Sequence, residues 1–148
     1  MQVKPLGRTY LVRLEQGEDV TDSLKRFADS YRIGFAAIRA IGTFERVTLG
    51  YYDVMAKAYQ NEPLDEPVEV LNLTGNISRS ADGERLLHAH VTVGLPDYTT
   101  RGGHLVEATV GPTLELVVDT EPAVIRRRQD SDTGLQLWDL EAIETFSV

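Results

Sequence analysis

Alternating and helical patterns of apolar residues divide the chain into one helix and a series of strands. Residues 9–14 mix aromatic and aliphatic side chains with one charge and predict a first strand. The apolar positions that follow recur at helical spacing, which predicts a helix running to about residue 31 with one stripe facing a sheet. The stripe consists of Val20, Leu24, Phe27, Ala28 and Tyr31. Asp19 or Thr21 would cap this helix at its N-terminus, and Gly34 would end it.

The remaining apolar runs are short and rich in β-branched residues, which is typical of strands. In chain order they are residues 35–41, 47–52, 68–78, 85–93, 101–110 and 113–119, with a hairpin partner for 47–52 near 57–59. For 35–41 a helical turn is the alternative. Gly111 and Pro112 predict a turn between the last two of these strands. A chain of 148 residues without internal repeats or a linker is expected to form a single domain.

All three histidines of the chain fall within residues 85–104. His88 and His90 are two positions apart in a predicted strand, so their side chains lie on the same face. If the following hairpin is symmetric about Asp97, His104 lies opposite His90, with the Cβ atoms ~5 Å apart. Three converging imidazoles form a tris-histidine metal site, a ligand set of catalytic zinc centres with an open fourth position. The alternative is three strand histidines that each hydrogen-bond a neighbour.

Two glycine positions bear on the register around these histidines. A two-residue loop at Asp82-Gly83 would place Gly75 opposite His90, either leaving room for a metal-bound water or marking a bulge. In the alternating pattern of its own strand, His104 falls on the same face as apolar residues. Either both faces of that strand are buried, or Gly102-Gly103 forms a bulge that resets the register.

Composition and charge narrow the classes of function. The net charge is −8 and the isoelectric point is near 4.8, which disfavours DNA binding because that affinity depends on Lys and Arg neutralising phosphates. The chain has no Cys, so disulfides and thiolate metal sites are excluded. No signal-peptide core and no apolar run of membrane-spanning length occur in the sequence. A cytoplasmic protein without membrane contact is expected.

The C-terminal residues 121–148 are expected to extend the domain as a β-hairpin that turns at residues 130–134. The only basic run of the chain, Arg126 to Arg128, lies in this extension. It predicts a solvated edge strand, with a nucleic-acid contact as the alternative. Trp138, the only Trp, is expected in the core or in a subunit contact, because no other aromatic residue accompanies it there.

Several motifs in one order resemble the PPC domain, the plant- and prokaryote-conserved domain that accompanies AT-hook motifs in plants. The motifs are residues 13–20 (RLEQGEDV), 40–43 (AIGT), 47–51 (VTLGY), 73–78 (LTGNIS), 88–91 (HAHV) and 102–105 (GGHL). The likeness covers about residues 8–120, the expected core of the domain. It implies an α+β fold: a mixed, mostly antiparallel β-sheet with one or two packed helices, assembled as a homotrimer. The fold is also similar to that of acetolactate decarboxylase, an enzyme with a tris-histidine zinc centre.

The resemblance further implies a metal protein with His88, His90 and His104 as ligands. Zinc is the expected divalent ion because imidazole suits it, although nickel, copper and iron(II) accept the same ligands. The chain lacks the Arg-Gly-Arg-Pro core of an AT-hook, so DNA binding does not carry over from the plant relatives.

Two classes of function remain open on this basis. A metal-dependent enzyme or small-molecule binder would use the open metal position, with Glu69, Glu107 or Glu115 as the candidate proton carrier. The alternative is a DNA-binding or protein-interaction and assembly module in which the metal is structural. The identity of catalytic residues, the substrate and any protein partner cannot be read from the sequence.

Overall fold

A computed structural model describes residues 1–146, which form one helix and eleven strands. The helix α1 spans Val20–Ser30. The strands are β1 (Gln2–Leu6), β2 (Thr9–Glu15), β3 (Phe35–Asp53), β4 (Ala58–Leu64), β5 (Val68–Arg79), β6 (Arg85–Gly94), β7 (Thr100–Glu121), β8 (Ala123–Val124), β9 (Arg127–Gln129), β10 (Gln136–Trp138) and β11 (Glu144–Thr145). Every strand pairing is antiparallel apart from one isolated bridge, so the predicted α+β class is confirmed, with a single helix.

The helix α1 forms where the apolar spacing predicted it. Asp19 is the N-cap, and its side chain accepts a hydrogen bond of 2.8 Å from the backbone N–H of Asp22. The predicted stripe is buried, although Tyr31 remains 39% exposed at the C-terminal end. The chain leaves the helix through Arg32, which has a φ of 54°, and so turns before it reaches Gly34. The helix packs against β6 and β7, the two strands that carry the histidines.

The seven long strands form one sheet in the order β1-β2-β7-β6-β5-β3-β4. The strand β7 also pairs with β3, so β3, β5, β6 and β7 close into a ring of paired strands. Fully buried side chains from the seven-stranded sheet and from α1 form the core; the largest are Phe27, Phe44, Leu14, Leu24, Leu73, Ile77 and Leu114. The pairing of β3 with β7 is what closes the ring.

Both β3 and β7 are longer than predicted. Residues 35–41 and 47–52 belong to one continuous strand, and the turn predicted at Gly111-Pro112 is wrong because β7 runs through it. The register between β3 and β7 shifts on each side of Phe44, by two residues before it and by one residue after it. Such irregularities bend a strand and increase its twist without ending it. Turn-forming residues therefore mark bends in these two strands.

The C-terminal residues pair among themselves and close over the sheet. The strands β9 and β10 form an antiparallel hairpin, whose turn contains a hydrogen bond of 2.8 Å from Gly134 N–H to the carbonyl of Asp130. The strand β11 pairs with β8. Trp138 is 41% exposed and contacts Phe35 edge-on, so it is not a core residue. Residues 147 and 148 of the predicted extension lie outside the described residues.

The helix α1 has 11 residues, and no helix in the described part of the chain has the length and apolar character needed to cross a bilayer.

Candidate metal centre

The hairpin β6–β7 brings the three histidines together. His90 pairs directly with His104, as a hairpin symmetric about Asp97 predicts. His88 lies two residues before His90 and projects from the same face of β6. His104 also pairs with Gly50 of β3, so it lies in β7 between β6 on one side and β3 on the other.

The register of β5 differs by one residue from the prediction. Thr74 lies opposite His90, and Gly75 lies opposite Ala89, because the loop between β5 and β6 has five residues instead of two. A Cβ on Gly75 would lie 2.6 Å from Cα of Ala89 and closer still to the carbonyl oxygen of His88. Gly75 is therefore needed for close approach of two backbones, and the prediction that it opens space beside His90 is wrong.

The bulge predicted at Gly102-Gly103 lies elsewhere. Both glycines pair with β6 in regular register. Against β3, Thr48 pairs with Glu107 but the next residue pairs with Leu105, which leaves Val106 as the extra residue. This bulge changes the face that β7 buries, so that Leu105 and Ala108 both enter the core while His104 stays on the imidazole face.

The three imidazoles form a compact triangle. The ring centroids are 5.4 Å apart for His88 and His90, 5.3 Å for His88 and His104, and 5.5 Å for His90 and His104. One ring nitrogen from each residue lies within 4.8 Å of the other two. His88 and His104 are partly buried, His90 is exposed, and the ring of Tyr59 packs 4.9 Å from that of His104.

Burial keeps two of the three rings neutral. Desolvation, followed by the positive charge of Arg127, lowers the pKa of His88 from 6.5 to about 4. Desolvation also lowers the pKa of His104, and the neighbouring His90 adds to the effect. A metal ion binds the deprotonated ring nitrogen of a histidine. Near neutral pH the partly buried pair is therefore already in the form that a metal requires.

Arg127 is a member of this site that the sequence analysis missed. Only 6% of the residue is exposed, so the prediction of a solvated edge strand is wrong for it. Its guanidinium donates to Ser78 Oγ at 3.0 Å, to Asn76 Oδ1 at 3.1 Å and to the carbonyl of Gln136 at 2.7 Å. Its Nη2 also lies 3.2 Å from Nδ1 of His88. Side-chain alternation along the basic run places Arg127 on the opposite face from its two neighbours. Only the tertiary structure shows which residues Arg127 contacts.

The imidazoles open into a cavity of about 720 Å³ beneath the β9–β10 hairpin. Tyr52, Lys57 and Tyr59 line it together with the histidines and Arg127. No carboxylate of the described residues lines it. The three acids predicted as proton carriers lie elsewhere. Glu107 accepts a hydrogen bond from Thr48, and Glu69 and Glu115 line surface hollows that do not contain the histidines, one of which they share. None of the three acids therefore lies at the histidine site of its own chain.

The donor set fits a divalent metal ion. Three imidazoles without a carboxylate or thiolate match the nitrogen-rich ligand sets of zinc, copper, nickel and iron. Nδ1 of His104 is buried and has no hydrogen-bond partner among residues 1–146, so a metal could bind it without breaking a protein contact. The positive charges of Arg127 and Lys57, which line the same cavity, oppose the binding of a metal cation here.

Comparison of the chain with known families settles its relationship. The family model described as the Plants and Prokaryotes Conserved (PCC) domain matches residues 1–121. The chain belongs to this family. The matched residues contain the whole seven-stranded sheet, α1 and all three histidines of the site.

Two solved structures share the fold over almost their whole length. A protein of Bacteroides thetaiotaomicron that has been proposed to bind DNA is 33% identical, with a TM-score of 0.90 and coverage of 95% of this chain and 97% of that one. A metal-containing protein of Archaeoglobus fulgidus is 36% identical, with a TM-score of 0.82 and coverage of 90% and 94%.

Two further similarities are weaker, one because it covers only part of the other protein and one because it concerns the fold alone. The bifunctional protein GlmU of a Synechococcus strain is 32% identical over 139 residues, but this chain spans about a fifth of that longer protein. Acetolactate decarboxylase of Bacillus subtilis shares the fold at 15% identity and a TM-score of 0.56, over 82% of this chain and 57% of that one.

Proposed function

We propose that this PCC-domain protein binds one divalent metal ion per subunit, with zinc preferred, through His88, His90 and His104. The observation that carries the proposal is the convergence of one ring nitrogen from each residue to within 4.8 Å of the others. The name of the Archaeoglobus fulgidus relative as a metal-containing protein supports it. The protein would act in the cytoplasm as a homotrimer.

An open coordination position favours a small-molecule binder or an enzyme over a structural metal site. The cluster contains three ligand residues within the described part of the chain, whereas structural zinc sites usually have four protein ligands. A bound zinc ion supplies Lewis acidity and lowers the pKa of a bound water. Tyr59 packs against His104, the hairpin residues cover part of the cavity, and Arg127 would orient negatively charged groups beside the metal.

The metal content of purified protein tests this proposal. Inductively coupled plasma mass spectrometry should find one metal ion per wild-type chain and less than about a tenth of that in His88→Gln and His90→Gln, because loss of one ligand in three removes most of the affinity. Thr74→Ala is the matched control, since Thr74 lies directly opposite His90 but is not a metal ligand type. Equal metal in the wild type and both histidine variants would refute the proposal.

Exposed apolar side chains on the outer face of the sheet support self-association. Leu11, Ile41 and Leu71 are 45%, 61% and 50% exposed and line two adjoining surface hollows that share Ile41. Contiguous exposed apolar surface is a frequent mark of a protein interface. We expect sedimentation analysis to give a trimer for the wild type and for Met55→Asp, which changes a 95% exposed residue in the β3–β4 turn, but smaller species for Ile41→Asp. A wild-type monomer would exclude the trimer.

A DNA-binding or assembly module with a structural metal is the second candidate. The Bacteroides thetaiotaomicron relative, itself proposed to bind DNA, favours it. The net charge of −8 opposes it, as does the basic run, in which Arg127 is buried and Arg126 pairs with Glu144 at 3.2 Å. Electrophoretic mobility shifts at low and moderate salt distinguish the two candidates. Absence of a shift at low salt would remove DNA binding.

A further inference from the structure

Arg127 is a buried positive charge without a negative partner. Its hydrogen bonds go to neutral oxygens and to the ring of His88, and no carboxylate among residues 1–146 forms an ion pair with it. Burying a charge is unfavourable unless a counter-charge offsets the lost hydration. One of the five guanidinium N–H groups, on Nη1, has no partner, because the contacts above use one on Nε, one on Nη1 and two on Nη2.

The whole cavity beside Arg127 has a positive character, although the chain is acidic overall. Lys57 and Arg127 line it, and no Asp or Glu of the described residues does. Lys57 donates to the carbonyl of Ser131 at 3.0 Å and lies near Asp130 in the hairpin turn, so its charge is partly offset. Arg127 has no carboxylate beside it; only the ring of Trp138, whose centroid lies 5.7 Å from the guanidinium carbon, faces its charge. A concave surface of one sign concentrates small ions of the opposite sign.

Much of the remaining cavity wall is apolar, although Gln129 and Gln136 also line it. Leu86 and Leu87 contribute from β6, and Leu135 and Leu137 contribute from the hairpin that covers the site. A volume of about 720 Å³ matches that of small-molecule sites, which combine apolar walls with a few polar anchors. An inorganic anion would make no use of these leucines. An organic acid would place its carbon skeleton against them.

We propose that the cavity binds a small organic carboxylate, with the carboxylate on Arg127 and the carbon skeleton against the leucine side chains. The inference deepens the proposed function, because the same anion would offset the repulsion between Arg127 and a metal ion on the histidines. It names the class of ligand that would bind beside the open metal position. It does not depend on the metal for the contact with Arg127.

Isobutyrate and isobutyramide are suitable probes, since they have nearly the same shape and differ in charge. Calorimetric titration of the zinc-loaded protein should give at least about tenfold tighter binding of isobutyrate, a difference of roughly 1.4 kcal/mol. Arg127→Gln should lose this preference. Arg128→Gln is the matched control, because it removes the same charge from the exposed neighbouring residue of β9. Equal affinities for the two probes, no binding of either, or an unchanged preference in Arg127→Gln would overturn the inference.

Two further measurements keep the test decisive. If Arg127→Gln does not fold, the Nε–H resonance of Arg127 in the wild type replaces it: the resonance should shift with isobutyrate and not with isobutyramide, and an unmoved resonance would refute the contact. Repeating the titration without metal separates this inference from the proposed function, because Arg127 should retain its preference for the acid there. Tighter binding of inorganic phosphate than of isobutyrate would overturn the assignment to an organic acid.

Discussion

Nη2 of Arg127 lies 3.2 Å from Nδ1 of His88, and the two nitrogens belong to different parts of the fold. Arginine can only donate, so Nδ1 of His88 accepts and the neutral ring carries its proton on Nε2. A metal ion needs a bare ring nitrogen. Binding of a metal through Nε2 would therefore require Arg127 to release His88 and turn fully to Asn76. Arg127 therefore opposes metal binding at His88 in two ways, through its hydrogen bond to the ring and through its positive charge.

Replacing Arg127 should tighten metal binding while it weakens anion binding. For Arg127→Gln we expect zinc affinity to rise by about tenfold in buffer without organic acids, because a positive charge beside the site is removed. Competition with a chromophoric chelator measures this. Arg128→Gln should leave the affinity unchanged. Unchanged or weaker zinc binding in a folded Arg127→Gln protein would contradict the opposition between the two cations.

Acidification should destabilise the metal-free protein between pH 6.5 and about pH 4. His88 has its pKa lowered from 6.5 to about 4 by burial and by Arg127, so in this range the unfolded chain binds a proton that the folded chain does not. The stabilisation by the neutral ring is complete above pH 6.5 and is lost as the pH falls through 4. Urea unfolding with a chelator present, at several pH values, measures the loss.

The matched variant for this prediction is His88→Gln, which removes the titrating ring. Its free energy of unfolding should fall less steeply over the same pH range. His104, whose pKa is also lowered by burial, would account for part of the remaining slope. Identical slopes for His88→Gln and the wild type would show that His88 does not titrate in this way.

Zinc should stabilise the folded protein by mass action. At a free zinc concentration of one hundred times the dissociation constant, we expect the free energy of unfolding to rise by about 2.7 kcal/mol. Thermal unfolding with and without zinc measures the effect. His90→Gln should show little rise, and because His90 is exposed the substitution should leave the metal-free protein close to wild type in stability. A rise of equal size in the variant would place the zinc elsewhere.

Gly75→Ala should destabilise the fold through backbone crowding. The added Cβ would lie 2.6 Å from Cα of Ala89, and backbone atoms of a paired strand cannot move aside, so we expect a loss of about 1–3 kcal/mol or more. Gly94→Ala is the control, since its Cβ would meet only the Leu71 side chain at 3.4 Å. Urea unfolding measures both. Equal stability of the two variants would contradict the close strand approach at Gly75.

Local patterns were sufficient for the parts of the site that depend on one hairpin. The spacing of His88 and His90, with a symmetric turn at Asp97, correctly predicted that His104 lies opposite His90. The helix and its Asp19 cap followed from residues close together in the chain. Side-chain alternation and turn geometry are set by neighbours in sequence, so a single sequence contains them.

The sequence-based predictions were wrong where the outcome depends on pairing between strands that are distant in the chain. The register of Gly75 depended on a loop length that the Asp-Gly pair did not reveal, and the bulge at Val106 depends on pairing between β3 and β7. Gly111-Pro112 bends β7 without ending it, because pairing on both sides holds the strand together. Each of these outcomes depends on which strand pairs with the segment in question. The local sequence pattern does not contain the identity of that partner strand.

The amino-acid order was enough to assign the family and to identify the three histidines as a group, since both follow from short motifs. Closure of the sheet and of the C-terminal hairpin placed Arg127, 39 residues from His88 in the chain, against that histidine's ring and kept the candidate acids away. Contacts between residues so far apart in the chain form only when the whole chain packs into its folded structure. The charge of the cavity, and hence the ligand it suits, is for that reason a property of the folded chain.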